Sequence, residues 1–203
     1  MRVVERLRSW CKRPGVLAAV GVGFVVGIGL SAANFAVMLG TGTETFCSLS
    51  CHEMTDNVFA EYKGTVHDVN RTGVRAVCPD CHVPKAIIPL YLRKMGTWSD
   101  LWGHFVTHSI DTKEKFEAKR YELAKRVWVY MQENDSRECR SCHTDAKMDV
   151  ALQGEKAQKR HKKAIAEKLT CVDCHFAIAH NEPQGGPGPQ ELRIARSSTI
   201  AKN

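Results

Sequence analysis

Residues 47–54 read Cys47-Ser-Leu-Ser-Cys51-His52-Glu53-Met54 and open a series of four cysteine pairs. The three later pairs are Cys78-Pro-Asp-Cys81-His82, Cys139-Arg-Ser-Cys142-His143 and Cys171-Val-Asp-Cys174-His175. Their shared pattern, C-x-x-C-H, is the attachment signature of c-type haem, in which two thiols bond to the macrocycle and the adjacent imidazole reaches the iron. A zinc ribbon is the main alternative, but it does not explain why a histidine follows every pair directly. The sequence therefore predicts four covalently bound c-type haems.

The first pair departs from this pattern because three residues, rather than two, separate Cys47 from Cys51. The loop between the two thioether bonds must therefore bulge, and we still expect a haem at this position. Four pairs account for eight of the nine cysteines. The remaining one, Cys11, precedes the long apolar stretch and is expected to stay reduced and inert in the cytoplasm.

The N-terminal part of the 203-residue chain predicts a membrane anchor. Residues 1–15 are basic, and no charged residue occurs in residues 16–39, which are long enough to cross a bilayer. The positive-inside rule then places the N-terminus in the cytoplasm and the rest of the chain in the periplasm of a bacterial inner membrane. A cleaved signal peptide, the alternative, would have a shorter apolar region and a clear cleavage site. Gly23 and Gly27 form a G-x-x-x-G pair that would allow a homodimer.

The charge balance is basic, with a formal net charge of +7. Haem propionates are natural partners for lysine and arginine, and anionic lipid would also attract positive charge near the membrane. The basic residues do not form a patch with interleaved stacking aromatics, so the sequence indicates no binding to nucleic acid.

Residues 40–182 contain an internal repeat of the order haem motif, lone histidine, haem motif. The lone histidines are His67 in the first half, at about 44–92, and His161 in the second, at about 136–182. We therefore predict a mostly α, haem-organised multihaem cytochrome c domain of two di-haem repeats, preceded by one transmembrane helix.

Two segments between and after the motifs have recognisable patterns. Residues 83–110 predict an apolar, partly helical connector near the membrane, and residues 111–134 predict a helix capped by Asp111 and Glu114. An apolar stripe at helical spacing should pack on haem or on the core, and it consists of Tyr121, Ala124, Trp128 and Met131. The Gly- and Pro-rich composition of residues 183–203 predicts a disordered tail.

The histidines outside the motifs are candidates for the second axial ligand of each iron. His67 and His161 occupy matching repeat positions, and His180 follows the last motif by five residues, so we predict these three as ligands. His104 and His108 have no repeat counterpart and are interpreted as polar surface or propionate partners. Three histidines leave one haem without a second ligand. Met54, close to the first motif, is the candidate for it.

The combination of anchor and motifs resembles the NapC/NirT/NrfH family of membrane-anchored tetrahaem quinol dehydrogenases, and the NapC/NirT branch most closely. The segments that carry the resemblance are Phe46-Cys47, Cys51-His52-Glu53-Met54, Thr65-Val-His67, Asn70-Arg-Thr-Gly-Val-Arg75, Cys78-Pro-Asp-Cys81-His82-Val-Pro84, Asn134-Asp-Ser136, Glu138-Cys139-Arg140 and Ile178-Ala-His180. The resemblance implies that the protein oxidises membrane quinol and passes electrons to a periplasmic reductase, with nitrate reductase expected first. A donor to a nitrite or other reductase, and a passive relay without a quinol site, stay as alternatives.

The resemblance also implies roles for individual residues. It assigns Lys94 and Asp100, after the second motif, to the quinol site, although ordinary interfacial charge explains such residues too. It pairs each motif haem with a second ligand: Met54 with the haem of His52, His180 with that of His82, His161 with that of His143, and His67 with that of His175. A terminal reductase would need an open iron position, and the histidines and Met54 suffice to fill every position.

Overall fold

The computed structural model describes residues 14–200, so Cys11 and most of the predicted cytoplasmic segment lie outside the described residues. The chain divides into two compact units, with the boundary after Gly42. Within the described residues the structure is helical and contains no β-strand, which confirms the mostly α fold class.

The first unit contains helix α1, which runs from Pro14 to Gly40. Proline suits the first turn of a helix, where its missing N–H has no intrahelical partner. Helix α1 has a mean hydropathy of 2.3 over its most apolar window. Among the described residues it is the one helix that is long and apolar enough to cross a membrane. The predicted span of residues 16–39 lies within α1.

The second unit is a series of mostly short helices. Its α-helices are α2 (Glu44–Leu49), α3 (Ala60–Tyr62), α4 (Cys78–His82), α5 (Ile87–Gly96), α6 (Trp98–Phe105), α7 (Lys113–Glu133), α8 (Arg137–Arg140), α9 (Glu155–Ala166), α10 (Cys171–Cys174) and α11 (Pro189–Ile200). A π-helical segment covers Met54–Phe59, and 3-10 turns cover Asp145–Lys147 and Val150–Leu152. The predicted connector is thus helical over α5 and α6.

Helix α7 begins two residues later than the sequence pattern predicts. The backbone of Thr112 is extended, and its hydroxyl accepts a hydrogen bond from the Lys115 N–H at 3.3 Å, so Thr112 is the N-cap. The prediction that Asp111 caps this helix is therefore wrong. The Asp111 carboxylate instead accepts a hydrogen bond from Lys115 Nζ at 2.7 Å.

The hydrophobic core of the second unit lies on α7 and is small. Trp128 and Met131 pack with Val172 of α10, and Tyr121 and Ala124 lie against this group. The predicted apolar stripe therefore packs into the core. Tyr62 and Phe116 are further buried hydrophobic side chains outside this group, and the small number of such residues in the described part of the chain agrees with a thin polypeptide core.

The C-terminal segment differs from the disordered tail that its composition predicts. Pro189 is fully buried at the start of α11, and its carbonyl accepts a hydrogen bond from Gln132 Nε2 at 2.7 Å. Arg193 forms an ion pair with the buried carboxylate of Asp173 at 2.7 Å. Close packing requires glycine at position 186, because a Cβ at Gly186 would lie 2.2 Å from the Tyr121 ring.

Candidate haem centres and quinol site

The second and fourth motifs lie on short helices whose first turns are fixed by hydrogen bonds. Asp80 Oδ2 accepts from the Val77 N–H at 3.0 Å, and Asp173 Oδ2 accepts from the Thr170 N–H at 2.7 Å. Residues three apart lie on the same side of a helix, so each of these turns presents both cysteines of its motif to one side.

The first motif differs from the second and fourth because α2 ends between its two cysteines, as α8 does between Cys139 and Cys142. Cys47 lies within α2, while Ser50 caps the end of the helix and Cys51 follows it. The Thr55 hydroxyl donates to the Ser48 carbonyl at 2.5 Å and holds this turn in place. The three-residue spacer therefore contains the end of α2.

The four motifs follow one another in space in the order of the chain. Helix α4 contacts both α2 and α8. Burial raises the pKa of the Cys78 thiol and the nearby Cys47 raises it further, while the pKa of Cys81 is raised by burial, by Asp80 and by Cys142.

The link from the third motif to the fourth is a direct contact. A hydrogen bond with Cys171 raises the pKa of the Cys139 thiol, and the Val172 N–H donates to Ser136 Oγ at 3.2 Å. Each motif thus lies next to the following one.

Each motif histidine has the ring of another histidine beside it. The pairs, with their ring-centroid separations, are His52–His104 at 5.7 Å, His67–His143 at 6.3 Å, His82–His180 at 6.2 Å and His161–His175 at 6.0 Å. Two metal–nitrogen bonds of about 2 Å, plus the distance from each nitrogen to its ring centre, give roughly 6 Å. The residues present therefore fit an iron held between two imidazoles.

Hydrogen bonds orient the non-motif histidines through Nδ1. His161 Nδ1 is 2.5 Å from Gln153 Oε1, His180 Nδ1 is 3.1 Å from the Val58 carbonyl oxygen, and His104 Nδ1 is bonded to the Glu53 carboxylate. Metal-ligating histidines commonly use one ring nitrogen in this way and leave the other for the metal. The Nδ1 atom of His67 is buried without a hydrogen-bond partner.

Burial keeps several of these imidazoles in the neutral form that binds metal. It lowers the pKa of His82 to about 4, with a further contribution from His180. Burial also lowers the pKa of His180 and of His175. Metal binding requires a deprotonated ring nitrogen, so these shifts favour ligation at neutral pH.

The ring pairs agree in one case with the ligand pairing that the resemblance implies, and differ from it in two. His180 lies beside His82, as implied, but His67 lies beside His143 and His161 lies beside His175, which exchanges the two partners. A tight turn explains why His161 lies beside His175. The Leu169 N–H donates to the Ala164 carbonyl at 2.8 Å and reverses the chain between α9 and α10.

The structure also changes the surroundings expected for the first motif. The ring beside His52 belongs to His104, which sequence reasoning interpreted as surface, whereas the side chain of Met54 is exposed. One feature of the sequence indicated that His104 could lie beside a motif histidine: the three histidines predicted as ligands left one haem without a second ligand. His108 has an exposed side chain and lies 3.4 Å from the Asp111 carboxylate.

The two predicted quinol residues lie on neighbouring helices. Lys94 of α5 is near Cys47 of the first motif, and burial lowers its pKa. Asp100 of α6 is partly accessible to solvent, but desolvation of its carboxylate raises its pKa against the hydrogen bond from Ser99 and the charges of Arg93 and Arg126. Arg93 Nε donates to the His82 carbonyl at 3.3 Å, so Asp100 faces an arginine that contacts the second motif.

Helices α5 and α6 present an apolar surface around these residues. The side chains concerned are about two thirds exposed or more, and they are Ile88, Leu92, Met95, Trp98 and Phe105. An exposed apolar patch of this kind is typical of a surface that contacts lipid, an apolar ligand or another protein.

These features define a helical c-type cytochrome with covalently bound haem. The family model described as "NapC/NirT cytochrome c family, N-terminal region" matches residues 10–185. The chain belongs to the NapC/NirT cytochrome c family.

Curated relatives are similar over most of the chain. The denitrification system component NirT of Stutzerimonas stutzeri is 48% identical over 178 residues, which cover 86% of this chain and 88% of NirT. The cytochrome c-type protein NapC of Escherichia coli is 42% identical, covering 89% of this chain and 91% of NapC. The cytochrome c-type protein TorC of Escherichia coli is 46% identical, but the match covers 90% of this chain and only 46% of TorC. No solved structure matches the chain.

Proposed function

We propose that the protein is a membrane-anchored tetrahaem c-type cytochrome that oxidises membrane quinol and passes electrons to a periplasmic terminal reductase. Nitrate reductase is the first candidate acceptor, and a nitrite or other periplasmic reductase is the alternative. The observation that carries the proposal is the row of four motifs, each with a second histidine ring beside its own histidine. The name of the Stutzerimonas relative supports an acceptor in denitrification.

The proposed location is the bacterial inner membrane, with α1 as the anchor. The basic residues before α1 favour a cytoplasmic N-terminus and a periplasmic haem domain. The exposed apolar side chains of α5 and α6 support contact with lipid and access for a quinol. A homodimer through Gly23 and Gly27 stays a further prediction.

The residues proposed to hold the haems follow from the motifs and ring pairs. Covalent attachment uses Cys47, Cys51, Cys78, Cys81, Cys139, Cys142, Cys171 and Cys174. The proposed axial pairs at the second, third and fourth sites are His82 with His180, His143 with His67, and His175 with His161. Haem, when bound, supplies one-electron transfer, and bis-histidine ligation leaves no open iron position for a substrate at these sites.

Lys94 and Asp100 have complementary roles in the proposed quinol reaction. Quinol oxidation releases two electrons and two protons. Lys94 donates a hydrogen bond to a quinol oxygen beside the first motif, and the Asp100 carboxylate accepts the protons and releases them to water. The raised pKa of Asp100 supports this role, because a base that accepts protons near neutral pH works best with a pKa nearer to that pH.

The test compares Asp100→Asn with Asp111→Asn in the full-length, haem-loaded protein in detergent. Asp100→Asn should keep four haems and reduce the rate of haem reduction by a quinol analogue by about 10²-fold. Asp111→Asn should leave that rate unchanged, because Asp111 pairs with Lys115 on the exposed start of α7. Normal turnover of Asp100→Asn would remove Asp100 from the mechanism. A wild-type protein that quinol cannot reduce would instead support a passive relay.

A further inference from the structure

The first motif has an unassigned histidine beside it. Helix α6 brings His104 to a ring-centroid separation of 5.7 Å from His52, with an angle of 62° between the ring planes. One nitrogen of each ring and one oxygen of Glu53 lie within 4.8 Å of one another. Two iron–nitrogen bonds in line span about 4 Å, so the separation suits an iron between the rings.

The hydrogen bonding of His104 matches that of His161 and His180. Its Nδ1 is bonded to a carboxylate oxygen of Glu53, a residue whose side chain is almost fully buried, and the same oxygen lies 3.6 Å from His52 Nε2. A bond through Nδ1 leaves the Nε2 atom of His104 for a metal. His161 and His180 have the same arrangement, with Gln153 and the Val58 carbonyl as the respective partners of Nδ1. The ring of Phe105 packs edge-on against His104 at 4.4 Å and restricts its movement.

Met54 is poorly placed to lie opposite His52. A ligand opposite His52 must reach the other face of the porphyrin, yet two residues of extended chain span at most about 7 Å. This length is too short to pass around the edge of a porphyrin. Met54 can therefore only compete with His52 for the same face, and its side chain is exposed at the start of the π-helical segment.

We propose that His104, and not Met54, is the axial ligand opposite His52 at the first haem. The proposal rests on the proposed covalent haem at Cys47 and Cys51. It gives all four haems bis-histidine ligation and makes the first haem a low-spin electron carrier rather than a site with an open or thioether-ligated iron. It also connects α6, which carries Asp100, directly to the first iron.

The test begins with the wild-type, full-length protein in detergent, and uses near-infrared magnetic circular dichroism together with electron paramagnetic resonance. The expected result is four low-spin haems that show only the bis-imidazole charge-transfer band. A thioether–iron band, or a high-spin signal from one haem in four, would overturn the proposal. This measurement needs no variant and is independent of quinol turnover.

Variants then identify the ligand. His104→Ala should convert one haem in four to high spin, and His104→Met should restore a low-spin state with a thioether band. Met54→Leu and His108→Asn should leave all four haems low-spin. Asparagine is chosen at position 108 because His108 has a φ of 46°, which asparagine tolerates.

The remaining outcomes separate this proposal from the proposed function. His104→Ala with four low-spin haems would contradict ligation by His104, whatever its rate of reduction by quinol. A protein that carries only three haems would instead refute the first haem itself, and the pyridine haemochrome assay detects that case separately.

Discussion

The first motif and the fourth motif lie in different surroundings. The fourth motif forms the short helix α10, which packs against the core through Val172, beside Trp128 and Met131. The first motif spans a helix end, and the helices around it, α5 and α6, present exposed apolar side chains. Under the proposed function, the fourth motif would belong to a fixed path for electrons, while the first would lie where an apolar reductant gains access.

The largest expected difference between the two regions is in stability. Trp128→Ala removes a side chain that is 7% exposed and packs edge-on against Phe176, so we expect a loss of about 3–5 kcal/mol in the free energy of unfolding. Trp98→Ala, in the first region, removes a side chain that is 66% exposed and should cost about 0.5 kcal/mol or less. Thermal unfolding followed by haem circular dichroism measures both. Equal losses of unfolding free energy in the two variants would contradict the expected difference in stability between the two regions.

The next prediction tests the exchanged ligands of the later centres. In a variant without the fourth haem, Cys171→Ala/Cys174→Ala, a further His161→Ala change should leave three low-spin haems, because the ring beside His161 is that of His175. His67→Ala in the same background should convert one haem to high spin, since its neighbour is His143. Electron paramagnetic resonance distinguishes the two. The opposite pattern would restore the pairing implied by the resemblance.

The third prediction concerns the pH dependence of the proposed quinol site. The base form of Asp100 exists above its pKa, and burial raises that pKa above the ordinary aspartate value. The rate of quinol oxidation should therefore rise with pH through this raised pKa and fall as pH drops below it. Asp100→Asn should remove this step from the pH profile of the stopped-flow reduction rate. A profile unchanged by the substitution would assign the step to another group.

The smallest expected effect is at the C-terminal helix. Arg193→Ala removes an ion pair to Asp173, whose carboxylate keeps its hydrogen bonds from Thr170 and Gln132. We expect a loss of about 1 kcal/mol in the free energy of unfolding and faster amide exchange in α11. Hydrogen exchange by mass spectrometry checks this directly. Rapid exchange throughout α11 in the wild type would support the disordered tail that the composition predicts.

Sequence reasoning worked where a local pattern decides the structure. The motif at Cys78 needs only neighbouring residues to form its turn, and the stripe that contains Trp128 has helical periodicity, so both were predictable. Caps and tails are harder to predict because several local choices are close in free energy. Thr112 and Asp111 are both good capping residues, and only the backbone conformation selects Thr112.

The neighbours of the histidine rings are not predictable from the sequence for a different reason. Which ring lies beside His143 depends on packing between distant segments, and the repeat supplies no information on it. His104 was missed because it has no counterpart in the second half and reaches His52 only through the arrangement of α6. The helix at Pro189 follows a Gly- and Pro-rich stretch, and its stability comes from burial against α7 and α10, which composition does not record.

The most direct test of the central claim is the mass of the intact, full-length protein, with a pyridine haemochrome assay on the same sample. We predict a chain that keeps its N-terminal segment and carries four covalent haems, including one at Cys47 and Cys51. Three haems would contradict the account, because the first centre, its ligand His104 and the quinol entry point beside Lys94 would then have to be abandoned.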